Sequence, residues 1–308
     1  GGKISGAADY YIRNTSDLLV NRALPNITGF GSVITNLGKV DNSGFEFSLN
    51  TENLKLNNFI WRSSLAVWSN RNEIVSLYGK VPVTDASGNT VLTEQDDRAN
   101  GWFIGKNINT IWDFRILGVW KVEEAATARS YGFAPGDFKL DDVNKDGKFT
   151  VDDRVFLGQT APKFNLNLRN EFTIYKNFDV SFQLYGRFGL LSQFNEAANV
   201  DRFYDRAQFY KRPYWTPTNQ IDDYARMMSS LGSGIGLNVW RKSSFIRVNN
   251  VSFAYTTPKR LTDKLKLQSL KVYFNIQNAL TVSPWEYFDP ENKGFTPSYG
   301  TFGINMTL

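Results

Sequence analysis

The run FDVSFQLYGRF, Phe178 to Phe188, decides the fold. Phe178, Val180, Phe182 and Leu184 fall on one side of an extended chain. Asp179, Ser181, Gln183, Tyr185 and Arg187 fall on the other. A strict period of two makes a β-strand with one greasy face and one wet face. Just upstream, LNLRNEFTIY sets Leu166, Leu168, Phe172 and Ile174 against Asn167, Arg169, Glu171 and Thr173. Only Lys176 and Asn177 separate the two runs, which reads as a tight hairpin.

Outward from this pair the pattern recurs. GFEFSLNTE opposes Phe45, Phe47 and Leu49 to Glu46, Ser48 and Asn50. SLKVYFNIQN opposes Leu270, Val272, Phe274 and Ile276 to Lys271, Tyr273, Asn275 and Gln277, and TFGINMTL opposes Phe302, Ile304, Met306 and Leu308 to Gly303, Asn305 and Thr307. Roughly ten such strands can be counted. Aromatic residues make up 15% of the chain, and abundant Gly and Asn supply turns. The composition is that of an all-β protein.

Connection lengths carry the next inference. Those after Asn53 and Tyr175 are very short, and the one after Tyr255, with Pro258, Lys259 and Arg260, is modest. Around 71–110, 118–163 and 189–243 the connections are long, and loops beyond about 12–15 residues are usually functional. Short turns at one end and long loops at the other describe an outer-membrane β-barrel. A β-sandwich also alternates, but its turn signals come every 8–12 residues or so. In the last long connection, Ala197, Val200, Phe203, Tyr204, Ala207 and Tyr210 stand at helical spacing, ended by Pro213, which predicts a short helix.

Charge and composition narrow the chemistry. The 308 residues carry 35 basic and 30 acidic groups, with the signs interspersed, so no nucleic-acid partner is expected. There is no cysteine and no histidine. That removes disulfides, thiolate metal sites, the commonest general base and the commonest zinc ligand. A carboxylate-based glycosidase would need two facing acids, and nothing singles out a pair. No run approaches the roughly 20 apolar residues of a membrane-spanning helix.

One motif stands apart. In DVNKDGKFTVDD, Asp142, Asn144 and Asp146 take places 1, 3 and 5 of a calcium loop. Gly147 takes the sharp turn at 6, Lys148 offers its carbonyl at 7, and Asp153 falls at 12. A structural Ca2+ pinning a long loop is one reading; an acidic turn held by Asx hydrogen bonds without metal is the other.

Across these motifs the sequence resembles a known family. GDFKLDDVNKDGKFTVDDRVFLGQTAPKFNLNLRNEFTIYKNFDVSFQLYGRFG is similar to the late-barrel signature of SusC/RagA-type TonB-dependent outer-membrane transporters. The likeness includes an acidic D-x-N-x-D-G segment, a D-R-x-x-x-G step at Asp153 to Gly158, and a P-K-F strand at Pro162 to Phe164. SSFIRVNNVSFAYTTPKRL, VYFNIQNALTVSPWEYFDPE and RPYWTPTNQIDDYARM extend it over nearly the whole chain. Two points depart from the family pattern. The chain ends on Leu308 where an aromatic residue is usual, and NTIWDFRILGVW lacks a G-Y turn near Asp113.

The resemblance implies that residues 1–308 are the C-terminal segment of an antiparallel transmembrane β-barrel of about 22 strands when complete. The plug domain and the N-terminal barrel strands would lie outside this sequence. It further implies an outer-membrane location, no enzymatic chemistry, and TonB engaged through that outside region. The cargo would be a glycan oligosaccharide or a short peptide, captured with a SusD-like lipoprotein. Tyr204, Tyr210, Tyr214 and Trp215 are the candidates for substrate or lid contact. Trp61, Trp68, Trp112, Trp120, Trp240 and Trp285 are candidates for the interfacial aromatic belts in outer-membrane lipid. The competing expectation is a secreted, calcium-stabilised β-sandwich that binds carbohydrate.

Overall fold

The computed structural model describes residues 2–308 apart from 24–31, 86, 201–211, 231–234 and 287. In chain order the strands begin with β1 (Ile4–Ala23), β2 (Ser32–Leu56), β3 (Phe59–Ser76), β4 (Val81–Thr84) and β5 (Thr90–Thr93). Next come β6 (Thr110–Phe114), β7 (Ile116–Val119), β8 (Phe138–Leu140), β9 (Arg154–Gln159), β10 (Phe164–Ile174) and β11 (Phe178–Phe188). The last five are β12 (Leu191–Gln193), β13 (Trp240–Lys242), β14 (Phe245–Thr256), β15 (Ser269–Val282) and β16 (Tyr299–Thr307). Two short helices, α1 (Ala125–Ser130) and α2 (Lys259–Lys264), complete the elements used below.

Two compact units emerge. The first comprises residues 1–108, 161–190 and 242–308, and the second residues 109–160 and 191–241. The first is built on one antiparallel sheet of eight strands, ordered β1-β2-β3-β10-β11-β14-β15-β16. The roughly ten strands expected become eight, because the remaining alternating runs close on themselves as separate two-stranded sheets. The hairpin predicted at Lys176 and Asn177 is present: β10 and β11 pair from Phe164↔Phe188 to Ile174↔Phe178 without a break.

Register places the apolar residues in rows. Leu54, Trp61, Phe172, Val180, Phe253, Phe274 and Phe302 stand side by side across seven strands. Trp61, Phe253, Phe274 and Phe302 are exposed, Phe302 by 66%. A sandwich would bury this row against a second sheet. It is uncovered here, so the sandwich expectation fails. A continuous exposed apolar stripe suits hydrocarbon, where the backbone ladder satisfies the polar main chain internally. Near the short turns, Phe59 lies 6.2 Å from Phe172 and Phe178 lies 4.8 Å from Tyr255, a cluster of rings at one end of the strands.

On the opposite face Tyr273 lies flat over Gly303, its cross-strand partner. A Cβ at Gly303 would come within 2.2 Å of the Tyr273 ring, so glycine is needed for this close approach. A small polar cluster interrupts the apolar face: Asn170 is buried, and its Oδ1 accepts bonds from Trp61 Nε1 at 2.9 Å and from Oγ of Ser63, its register partner, at 2.6 Å. A polar group facing lipid is tolerated when neighbours satisfy it.

The second unit holds the pairs β6–β9, β7–β8 and β12–β13. Phe114, Val119, Trp120, Phe138 and Leu140 form its buried core. Asp113 is buried in it, accepting from Asn238 Nδ2 at 3.0 Å and Trp240 Nε1 at 2.9 Å. Those bonds account for the acidic residue in a stretch that lacks the family's flexible turn.

Candidate functional site

In the first unit, the polar face of the sheet is lined by side chains that the alternation alone sends there. A cavity of about 640 Å³ is bounded by Arg62, Arg169, Glu171, Asp179, Lys271 and Tyr273, among others. Its charges are mutually paired. Arg169 Nε lies 2.7 Å from Glu171 Oε1, Arg62 Nη2 3.2 Å from Glu52 Oε2, and Lys271 Nζ 3.4 Å from Asp179 Oδ2. Exposed pairs of this kind add little stability. They do make a wettable, charge-balanced wall.

A second cluster on this face was not singled out from the sequence. Tyr185, Arg247 and Thr281 are register partners on β11, β14 and β15. The segment joining β15 to β16 brings Asp289 and Glu291 to them. Arg247 is buried, with Nη2 2.5 Å from Asp289 Oδ2, Nη1 3.3 Å from Glu291 Oε2, and Nε donating to Thr281 Oγ1 at 3.1 Å. The available signals were the arginine of SSFIRVNN and the D-P-E of FDPE, but their distance in sequence hides the pairing.

In the second unit, the acidic loop sits between β8 and β9 on an aromatic base, with Tyr131 and Phe149 stacked at 4.5 Å. Asp142 accepts from Tyr131 Oη at 2.7 Å, from Asp146 N at 3.2 Å and from Gly147 N at 3.0 Å. The Tyr131 hydroxyl is the main reason the Asp142 carboxyl lies below its usual range; lost hydration opposes the shift and the loop amides reinforce it. Asn144 Oδ1 accepts from Asp146 N at 2.9 Å, and Asp146 Oδ1 from Lys148 N at 2.9 Å. Asp153 is fully buried, taking Val143 N at 2.9 Å on Oδ1 and Thr150 N at 2.8 Å on Oδ2. Gly147, at φ +79°, makes the sharp turn.

The loop therefore adopts an Asx-bonded form in which its carboxylates point at backbone amides. Among the described residues, no three acidic side chains stand together as a metal cage. The donor set is all oxygen, which suits Ca2+ chemically. Asp142, Asn144, Asp146, the Lys148 carbonyl and Asp153 are the groups that would hold it.

The aromatic contact candidates separate. Tyr214 is 47% exposed, whereas Trp215 is 5% exposed and its backbone N–H donates to the Ala225 carbonyl at 3.2 Å. Trp215 thus packs inside the second unit. Tyr204 and Tyr210 lie outside the described residues, as does most of the expected helix; what is seen of it is a 3-10 turn at Asn195–Ala198. Of the belt candidates, Trp61 lies on the apolar face, while Trp68 pairs with Asn165 and Glu46 on the polar one. Trp112, Trp120 and Trp240 belong to the second unit, and Trp285 is buried in the β15–β16 connection.

A sheet with an uncovered apolar stripe, a charged opposite face, short turns at one end and long connections at the other is part of the wall of an outer-membrane β-barrel. No family model matches the chain. It is 32% identical to the TonB-dependent receptor P26 of Formosa agariphila, over 96% of this chain and 30% of that protein. It is 26% identical to the TonB-dependent receptor SusC of Bacteroides thetaiotaomicron, over 95% and 28%. Among solved structures, the RagAB peptide transporter superposes with a TM-score of 0.70 at 18% identity, covering 99% of this chain and 34% of that one. The chain spans about 30% of the length of the curated relatives it matches. Its sequence is thus similar to part of the TonB-dependent receptors, SusC among them, and its fold is that of part of an outer-membrane transporter barrel.

Proposed function

We propose that the protein imports a nutrient across the outer membrane, powered through TonB, with this chain supplying part of the barrel wall. The observation that carries the reading is the two-faced sheet, with an apolar stripe toward lipid and a charge-balanced face toward water. Both edge strands, β1 and β16, have one unpaired side within the eight-stranded sheet. That agrees with further barrel strands pairing at both edges; the plug domain is proposed from the family resemblance alone. The cargo is a glycan oligosaccharide or a short peptide. The family resemblance of the sequence motivates both classes, and the superposing RagAB peptide transporter agrees with the second.

A SusD-like lipoprotein is the proposed partner, seated over the long connections. Tyr204, Tyr210 and the exposed Tyr214 are the contact candidates, while the buried Trp215 is a packing residue of the same segment. The acidic loop is proposed to take a structural Ca2+, which would rigidify the segment between β8 and β9. Cells lacking the gene should lose growth on the cargo, and residues 194–241 should be needed for both uptake and co-purification of the lipoprotein. If deleting that loop alters neither, its assignment fails; if deleting the gene alters no uptake, the import reading fails.

A further inference from the structure

We propose that Tyr185, Arg187 and Arg247 form a carboxylate-recognition site on the polar face, and that the chain's own Glu291 occupies it in place of an acidic group on the cargo. This names a chemical feature of the cargo and rests on the import reading above.

Three donors from two neighbouring strands surround one carboxylate. Glu291 Oε1 accepts from Tyr185 Oη at 3.1 Å and Arg187 Nη1 at 3.3 Å, and Oε2 accepts from Arg247 Nη1 at 3.3 Å. The site does not depend on Glu291 for its shape. Arg247 is held by Thr281 at Nε and by Asp289 at Nη2, which leaves Nη1 aimed at the occupied position. Asp289 is itself fixed, accepting from the backbone N–H groups of Glu291 at 2.8 Å and Asn292 at 3.2 Å.

Glu291 is the looser of the two acids. Its side chain is 30% exposed against 4% for Asp289, and its bonds are longer than the roughly 2.7–2.9 Å of strong charge-assisted pairs. Charge points the same way. Arg187, Arg247 and the neighbouring Lys293 face Asp289 and Glu291, so moving Glu291 out leaves the cluster with surplus positive charge and three aimed donors. A planar carboxylate matches that arrangement. Elsewhere on this face, Lys271 with Asp179 and Arg169 with Glu171 pair within the sheet itself. Here the acid comes from the connection between β15 and β16, and can move without disturbing a strand. The site lies toward the end of the strands that carries the long connections.

A peptide C-terminus or a uronic acid could supply the group. Full-length protein in detergent would be titrated with a tetra-alanine free acid and its amide, and with trigalacturonate and its methyl ester. Glu291→Ala should raise affinity for at least one acid about tenfold, the size of one charge-assisted bond, and leave amide and ester unchanged. The acid that gains identifies the source. Adding Arg187→Ala or Tyr185→Phe should return the gain to baseline. Glu291→Gln, nearly isosteric, should behave like Glu291→Ala, and heat-modifiable gel mobility verifies folding of each variant. Absence of an acid-specific gain, or an equal gain for uncharged probes, overturns the site. Growth of the gene-deleted strain on each cargo class reports on import separately, so acid-selective binding by folded Glu291→Ala protein would uphold the site even if import failed.

Discussion

Arginine at Phe253, compared with arginine at its neighbour Ser252, tests which face meets lipid. Phe253 is 46% exposed in the middle of the aromatic row, and Ser252 lines the polar cavity. Phe253 stands three residues before the end of β14 at Thr256. With a rise of about 3.3 Å per residue and a tilt of about 40°, it sits roughly 8 Å inside an apolar band about 25 Å tall. A lipid-facing arginine costs about 2–4 kcal/mol at the midplane and about 0–1 at the interface, so about 2 kcal/mol is expected here. Ser252→Arg meets water and should stay within about 0.5 kcal/mol of the parent. In a water-soluble protein, an exposed Phe→Arg change would also stay near zero. Urea unfolding of full-length protein in lipid vesicles, followed by tryptophan fluorescence, separates the cases. Equal effects at the two positions, or a larger cost at Ser252, would refute the assignment of faces.

Three further outcomes are expected. Asn170→Leu should destabilise by about 1–2 kcal/mol, because the Trp61 N–H and the Ser63 hydroxyl lose their acceptor; the cost should largely vanish in a Trp61→Phe, Ser63→Ala background, and a coupling below about 0.3 kcal/mol in the same unfolding assay would exclude the hydrogen-bonded role. Lys293, in the β15–β16 connection, has its ammonium lowered from 10.5 to about 8 by partial burial, with Asp289 opposing and Arg187 reinforcing. Its charged form is therefore disfavoured by folding. That penalty is present below about 8 and relieved as pH rises toward 10.5, so amine-reactive labelling read by mass spectrometry should show a midpoint near 8. Added Ca2+ should protect residues 142–153 of EDTA-treated protein from proteolysis, and Asp142→Ala should remove the protection; identical cleavage with and without the ion would favour the purely Asx-bonded loop.

The sheet was legible in the sequence because each strand carries its own evidence. Once Phe178 and Arg187 are placed on opposite faces, every residue between them follows from the period of two. The acidic loop was legible for a similar reason, since its spacing is local and its bonds run between near neighbours such as Asn144 and Asp146. Trp215 shows where such reading stops. An aromatic residue two positions from a proline in a long connection suggests a contact surface, yet burial depends on partners such as Ala225 that no local pattern announces. Tyr214, one position away, stays exposed, and nothing in RPYW separates the two.

Arg247 marks the deeper limit, and a backbone irregularity explains it. In β14 the partners of Gln183 and Leu184 are Asn250 and Val248, so Asn249 is an extra residue bulged out of the ladder. Counting back by twos from Phe253 would put Val251, Asn249 and Arg247 on the lipid side. The bulge shifts the count by one, so Val248 and Ile246 continue the apolar face and Arg247 turns toward Tyr185 and Thr281. On β15 the partners of Asn250 and Val248 are Gln277 and Leu280, and Asn278 beside them takes φ +50°. Bulges re-aim side chains in this way, often near functional sites. A single inserted residue thus converts what simple alternation would read as an arginine in hydrocarbon into the pivot of the acidic connection between β15 and β16.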